Sequence, residues 1–208
     1  MKTLLISFLV LFTIKGQAHP VIYKDGWAIS SSNMADYSNN YVMYSSTNRL
    51  AVGLDHWRFT HPNHDVNNDL GLVKLNGLLW RHNGEDSQAN IYLHGGLGFE
   101  DQEFERKKTR GAYMYGAEAD WETRTLYTAA KHYQFNDLSV TQARLGFSPK
   151  EAPFEDLQTW FMLQGMLIDD IQETVMITPM VRFFYHNVLW EIGSSTRGDW
   201  MLNLMVHY

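Results

Sequence analysis

The feature that most constrains the fold of this chain is an alternation of apolar and polar residues that continues to its last residue. In the terminal stretch GDWMLNLMVHY, every second side chain is apolar or aromatic: Trp200, Leu202, Leu204, Val206 and Tyr208. The side chains of a β-strand point alternately to opposite faces, so this stretch predicts a strand with two unlike faces. Chain ends are usually poorly ordered, whereas this pattern predicts a strand that is paired up to its final residue.

Similar alternating segments follow one another along most of the chain, and no segment has a convincing helical periodicity. They predict about twelve strands, at roughly 25–34, 39–46, 49–59, 70–82, 88–99, 110–121, 124–135, 139–148, 157–168, 174–185, 187–195 and 199–208. The connections after odd-numbered segments are mostly the longer ones, with SPKEAPFED at 148–156 as an exception. Pro179 cannot donate to a ladder in mid-strand, so it predicts either a bulge or a different register there.

Two architectures could produce such alternation. A soluble β-barrel or sandwich turns its apolar face inward, whereas an outer-membrane barrel turns it toward lipid and keeps a polar lumen. The predicted strands are close to the length of about ten residues that a tilted membrane strand requires. Tyr and Trp residues also lie toward strand ends, as an interfacial belt would place them; examples are Trp80, Trp121, Tyr133 and Trp190. The pattern therefore favours the membrane barrel.

The predicted fold is an all-β, closed antiparallel up-and-down transmembrane β-barrel. Twelve strands are expected, with ten or eight as alternatives, and an exported soluble β-barrel binding protein is the competing class. One face of the predicted strands carries no charge, and the other face is assigned to the lumen. The predicted polar network of the lumen consists of Arg49, Asp55, Lys74, Asn76, His94, Glu118, Asp120, Lys131, Arg144, Arg182, Glu191 and Asn203.

Residues 1–18 have the features of a secretory signal peptide. Lys2 precedes an apolar run over residues 4–14, and in Gly16-Gln17-Ala18 small residues stand at the two positions that a signal peptidase reads. This run is shorter than the roughly 20 residues of a membrane-spanning helix. We therefore predict an exported mature chain, residues 19–208, that forms a single barrel domain.

Composition excludes several other classes. Removal of the predicted signal peptide takes away Lys2 and Lys15 and changes the formal net charge from −6 to −8, which argues against nucleic acid as a partner. The chain has no cysteine, so disulfides and thiolate metal sites are excluded.

These features together resemble those of Gram-negative outer-membrane β-barrels. The resemblance rests on the signal peptide, the alternating strands and the terminal aromatic residue of LNLMVHY. It implies an outer-membrane location, with membrane lipid and the barrel assembly machinery as partners. It also implies that the final strand, through Trp200, Leu202, Leu204, Val206 and Tyr208, is the assembly signal and closes the barrel against the first strand. With an even number of strands, both termini are expected on the periplasmic side.

For function, the sequence favours a non-enzymatic barrel that acts as a narrow channel or as an accessory component of envelope transport. Barrel enzymes that act on lipid pair a serine nucleophile with a histidine, and the families concerned use a His-x-Ser-Asn type of arrangement. The candidate stretch YLHGGLG follows His94 with glycines, so no catalytic residue is assigned. We expect His94 to be a polar lumen residue facing Asn76, and a lipid-modifying enzyme is the alternative.

Methionines form a second candidate site. The predicted register sets Met166 opposite Met176 and Met162 opposite Met180, and directly opposed Cβ atoms lie about 4.5–5.5 Å apart. Soft thioether sulfur selects ions such as Cu(I), and His19 would offer a second copper site through its imidazole and the α-amine that signal cleavage frees. The sequence thus raises copper as a possible cofactor and metal-efflux components as possible partners. Methionine is also an adaptable filler of narrow interiors, which is the alternative.

Overall fold

A computed structural model describes residues 19–61, 66–102, 108–153 and 155–208. The predicted signal peptide, residues 1–18, lies outside the described residues. The strands are β1 (Trp27–Asn33), β2 (Tyr37–Thr47), β3 (Leu50–His61), β4 (Val66–Asn83), β5 (Ser87–Gln102), β6 (Lys108–Thr123), β7 (Leu126–Phe135), β8 (Ser139–Phe147), β9 (Gln158–Ile168), β10 (Met176–Tyr185), β11 (Val188–Ser194) and β12 (Trp200–His207). Among the described residues, no helix is long and apolar enough to cross a membrane.

The strands form one closed antiparallel barrel. Each strand pairs with its neighbours in the sequence, and β1 pairs with β12. The closing register sets Ala28 opposite His207, and the backbone N–H of Tyr208 donates to the carbonyl of Trp27 at 2.8 Å. The prediction of a closed barrel of twelve strands is confirmed, and the alternatives of ten and eight strands are wrong. The last residue is paired because it belongs to the closing seam.

The barrel is apolar outside and polar inside. Large apolar side chains point outward, and Leu54, Leu97 and Leu145 are 66%, 72% and 58% exposed. Charged side chains point inward, and Asp55, Lys74 and Glu191 are each at most 3% exposed. This arrangement is the opposite of that in a water-soluble barrel.

The β9–β10 hairpin has the predicted register. Met176 pairs with Met166, Met180 pairs with Met162, and the pairing continues through Pro179 opposite Leu163 without a shift. Both alternatives raised for Pro179, a bulge and a different register, are therefore wrong. The carbonyl of Ile177 points toward the β11 side of the strand, where it accepts from the N–H of Thr196. The nitrogen of Pro179, two residues further on, points to the same side. The β10–β11 ladder begins only at Met180, so no ladder bond is lost.

The two ends of the barrel differ. The terminal end holds both chain termini and the connections after the even-numbered strands, and the distal end holds the connections after the odd-numbered strands. The long strands β4, β5 and β6 extend beyond the predicted ranges, mainly at the distal end. The distal connections are the longer ones, except that residues 148–157 form a long connection at the terminal end.

Candidate functional site in the barrel lumen

The middle of the lumen encloses a polar cavity of about 120 Å³. With one exception, the residues of the predicted polar network point into the lumen. Those that line this cavity are Lys74, Asn76, His94, Glu118, Lys131, Arg144, Arg182, Glu191 and Asn203. Asp55 and Asp120 are buried behind them.

The exception is Arg49, whose assignment to the lumen is wrong. Arg49 is exposed and lies in the turn between β2 and β3, because β3 begins at Leu50. The prediction started this strand one residue too early. At the edge of a strand, that error is enough to move a side chain from the sheet to the turn.

Glu191 organises one side of the cavity. Its carboxylate accepts from Arg182 Nε at 2.7 Å, from Arg144 Nη1 at 3.2 Å and from Asn203 Nδ2 at 2.5 Å. Arg182 and Asn203 are its direct cross-strand partners on β10 and β12, while Arg144 reaches across from β8. A carboxylate that is 1% exposed requires such partners, because a buried charge is costly unless it is paired.

Asp55 organises the opposite side. It pairs with Lys74 Nζ at 2.8 Å, and it accepts from Asn39 Nδ2 at 2.5 Å and from Trp57 Nε1 at 2.9 Å. The Lys74 ammonium also lies 5.2 Å from the centre of the Tyr133 ring. Tyr133 is thus a lumen residue, 4% exposed, and its prediction as part of an interfacial belt is wrong.

His94 lies between these two clusters and faces Asn76, as predicted. Its Nδ1 is 2.8 Å from Asn76 Oδ1, and Asn76 Nδ2 donates to the carbonyl of Pro20 at 3.2 Å. The second bond fixes the amide orientation, so Nδ1 carries the hydrogen and Nε2 has its lone pair free. Within the described part of the chain, Nε2 has no hydrogen-bond partner, and its distance to the Glu118 carboxylate is 3.7 Å. No serine hydroxyl in the described ranges bonds to His94, so the arrangement of a serine hydrolase is not formed.

The distal end of the lumen is closed by an apolar cluster. Trp57, Phe59 and Phe135 form its aromatic centre, with Trp57 and Phe135 ring centres 5.2 Å apart. The β9–β10 connection folds over this cluster and buries Ile171 and Gln172. Gln172 Nε2 donates to Asp36 at 2.6 Å, and Asp36 also pairs with Arg197. The sequence analysis missed this closure because the pattern reverses at the distal end of β3, where Trp57 and Phe59 point inward and His56 and Arg58 point outward.

The terminal end is partly open. A vestibule of about 850 Å³ lies between the β4–β5 turn, the β6–β7 turn and the β8–β9 connection. Tyr127, Arg182 and Leu189 line both this vestibule and the central cavity. Residues 19–26 lie at this end and fold back toward the lumen, where His19, Val21 and Ile22 are buried.

The four methionines of the predicted copper site point into the lumen but belong to two separate clusters. Met166 and Met176 lie in the distal apolar cluster, and Met162 and Met180 pack with Trp160 and Met201. The sulfur of Met176 lies 3.2 Å from Arg197 Nη2, and a guanidinium at this place disfavours a bound cation. No group of three or more His, Asp or Glu side chains in the described ranges could hold a metal ion. The copper site stays a prediction.

The predicted assembly residues lie along the outer face of β12. Trp200, Leu202, Leu204 and Tyr208 are exposed on the outside of the barrel, and Val206 is half-buried there. They form one continuous stripe beside the closing seam. Their role in assembly stays a prediction.

Comparison with known proteins shows similarity to solved structures of β-barrels. No protein-family model matches the chain, and no curated protein matches it. A structure of the KdgM porin in complex with disordered oligogalacturonate is 12% identical, with a TM-score of 0.48, covering 88% of this chain and 98% of that chain. A loop-deletion mutant of OmpT, an outer membrane protein of Vibrio cholerae, is 8% identical, with a TM-score of 0.29 and the same coverage of 88% and 98%.

The features of the barrel itself define its class. The ladder is closed, large apolar side chains cover the outer face, and the buried carboxylates Asp55 and Glu191 are paired inside. Only a closed ladder satisfies every backbone group of a sheet in hydrocarbon. The chain is a transmembrane β-barrel of the outer-membrane type.

Proposed function

We propose that this protein is a non-enzymatic outer-membrane barrel that forms a narrow channel, held closed in the conformation described. The observation that carries the proposal is that the vestibule and the central cavity share Tyr127, Arg182 and Leu189 as lining residues, which marks the proposed path of ions. On this topology the terminal end faces the periplasm and the distal end faces the outside of the cell. The apolar outer face and the predicted signal peptide support this location.

The path ends at the aromatic cluster of the distal end. An ion that moves outward from the cavity meets Trp57, Phe59 and Phe135, which offer it no polar partner to replace its hydration shell. Hydrophobic constrictions of this kind gate other channels by excluding water. The proposed closed state therefore needs no large rearrangement to conduct, only a shift of this cluster and of the β9–β10 connection above it.

The surroundings of Lys131 also suit a lumen that holds water and ions. Its ammonium group lines the cavity, and within the described residues no carboxylate lies within 4.0 Å of it. It is instead 5.5 Å from the centre of the Tyr133 ring. Glu118 is the cross-strand neighbour of Lys131 on β6, and an ammonium group without a direct ion pair is stable when water or an anion also reaches it.

The test is single-channel recording in planar lipid bilayers with the mature chain, residues 19–208. We expect rare openings of small conductance for the native protein and clearly larger ion flow for the double variant Trp57→Ala with Phe135→Ala. Leu97→Ala, which shortens a lipid-facing side chain, is the matched control and should behave like the native protein. Gel migration with and without heating checks that each variant is folded. If the native protein and both variants are folded but none of them conducts ions, the barrel is not a channel.

A further inference from the structure

Residues 19–26 enter the barrel and do not extend away from it. Val21 is 1% exposed and Ile22 is 9% exposed, and both pack on the inner face of β2–β5 against a cluster that includes Met43, Leu78 and Tyr92. An apolar segment that buries itself in this way contributes a hydrophobic stabilisation of its own.

The segment is held by contacts that can be broken without opening the barrel. The N–H of Ile22 donates to Ser45 Oγ at 3.2 Å, and the carbonyl of Pro20 accepts from Asn76 at 3.2 Å. The backbone N–H of Lys24 donates to Asn48 Oδ1 at 3.0 Å. These partners are side-chain atoms, whereas Asp25 and Gly26 bond to Ser45 of β2 through their backbone groups and continue the β1–β2 pairing. Release of residues 19–24 would therefore leave the twelve-stranded ladder intact.

An electrostatic contact anchors the tip of the segment. His19 Nε2 lies 3.4 Å from Glu122, and His19 Nδ1 lies 3.7 Å from Asp120. Both carboxylates are on β6, so the segment, which leads into β1, spans the lumen. Burial alone would lower the pKa of His19, but Asp120 and Glu122 together raise this pKa to about 9, so the imidazole is charged at neutral pH.

The anchor also borders the vestibule, because Glu122 is one of its lining residues. The tip of the segment therefore lies beside the opening. The segment also forms part of the wall of the central cavity, because Pro20 is one of the lining residues of that cavity. Removal of the segment would join the vestibule, the cavity and the space now filled by Val21 and Ile22.

We propose that residues 19–24 are a releasable internal plug, that Asp120 and Glu122 are its receptor for the His19 side chain, and that the plug restricts the periplasmic opening of the channel. The gating part of this inference rests on the proposed channel function. The receptor part does not, because it concerns only where the segment lies and what holds it.

Two measurements on the same proteins test the inference. The chain has no cysteine, so Val21→Cys introduces a single thiol, and its reaction rate with a water-soluble maleimide reports release of the plug. We expect Asp120→Asn with Glu122→Gln to accelerate this reaction about tenfold or more, since hydrogen bonds to charged groups are the stronger ones. Asp69→Asn is the control, because it removes the carboxylate that contacts His56 near the distal end. Bilayer conductance of the same variants is the second measurement.

Each outcome decides a defined part. Faster labelling together with higher conductance in the β6 double variant supports both the receptor and the gate. An unchanged labelling rate overturns the inference, whatever the conductance. If labelling is faster but the variant conducts as the native protein does, the gate is overturned and the channel function is kept. If neither protein conducts, the gate and the channel function are both overturned, and faster labelling would still support the receptor.

Discussion

Replacing Glu191 by alanine should destabilise the barrel more than any change of similar size on its outer face. The substitution removes the shared acceptor of Arg182, Arg144 and Asn203 and leaves two guanidinium groups uncompensated. The Arg182 and Arg144 side chains are 10% and 15% exposed, so solvent can screen little of the loss. Breaking a buried ion pair by removing one partner costs about 3–5 kcal/mol, and we expect a loss of unfolding free energy in this range.

The assay is urea-induced unfolding in lipid vesicles, followed by tryptophan fluorescence and by gel migration without heating. Glu191→Gln keeps one acceptor oxygen and the shape of the side chain, so we expect a clearly smaller loss. Ile192→Ala, at a lipid-facing neighbour that is 44% exposed, is the control for shortening a side chain on β11. If Glu191→Ala unfolds within about 1 kcal/mol of the native protein, the cluster does not carry the stability that we assign to a buried ion pair.

Three further predictions follow from other parts of the chain. Deletion of Tyr208 should leave the protein unassembled in the periplasm, while Tyr185→Ala, at an exposed aromatic residue of β10, should assemble normally; fractionation measures both. The free energy that His19 contributes to plug retention should be fully present below its unfolded pKa of 6.5 and lost as pH rises through a folded pKa of about 9, because the neutral imidazole no longer forms ion pairs with Asp120 and Glu122. Hydrogen exchange at the Val21 amide measures this loss. Because the charge of His19 also acts on His207, a variant with His207 replaced by glutamine is the control. Titration with Cu(I) under a competing chelator should show binding that is lost when Met162, Met166, Met176 and Met180 are all changed to leucine, and equal binding by both proteins would end the copper hypothesis.

The sequence predicted best those features that depend on period-two alternation. The pairing of Met166 with Met176 and the inward direction of Glu191 agree with the face that each residue occupies, whereas the closing role of β12 was implied by the resemblance to outer-membrane barrels. One face must meet lipid, so a shift by one residue would place charges in hydrocarbon. Because placing charges in hydrocarbon is so costly, the register in the middle of each strand can be predicted from the sequence alone.

The features that the sequence did not predict lie where this constraint is weak. Tyr133 is aromatic and suits either face, and only its packing against Lys74 and His94 places it in the lumen. At the distal end of β3, the inner face carries Trp57 and Phe59 and the outer face carries His56 and Arg58, so the alternation there is the reverse of that in the lipid-facing part of the strand. The return of residues 19–26 into the lumen depends on a contact between His19 and β6, which is distant in the sequence and has no periodic signal.

Labelling of the unmodified protein from within the bilayer tests the central claim most directly. A photoactivatable lipid whose reactive group lies in the acyl chain should be placed in vesicles with the folded barrel, and modified residues should be mapped by mass spectrometry. Along β5 we expect label on Ile91, Leu93 and Leu97, which are 37%, 50% and 72% exposed. Tyr92 and His94, which are 0% and 5% exposed, should carry none. Label on Tyr92 and His94, or equal label on both faces, would contradict the account of a barrel with lipid outside and a polar lumen.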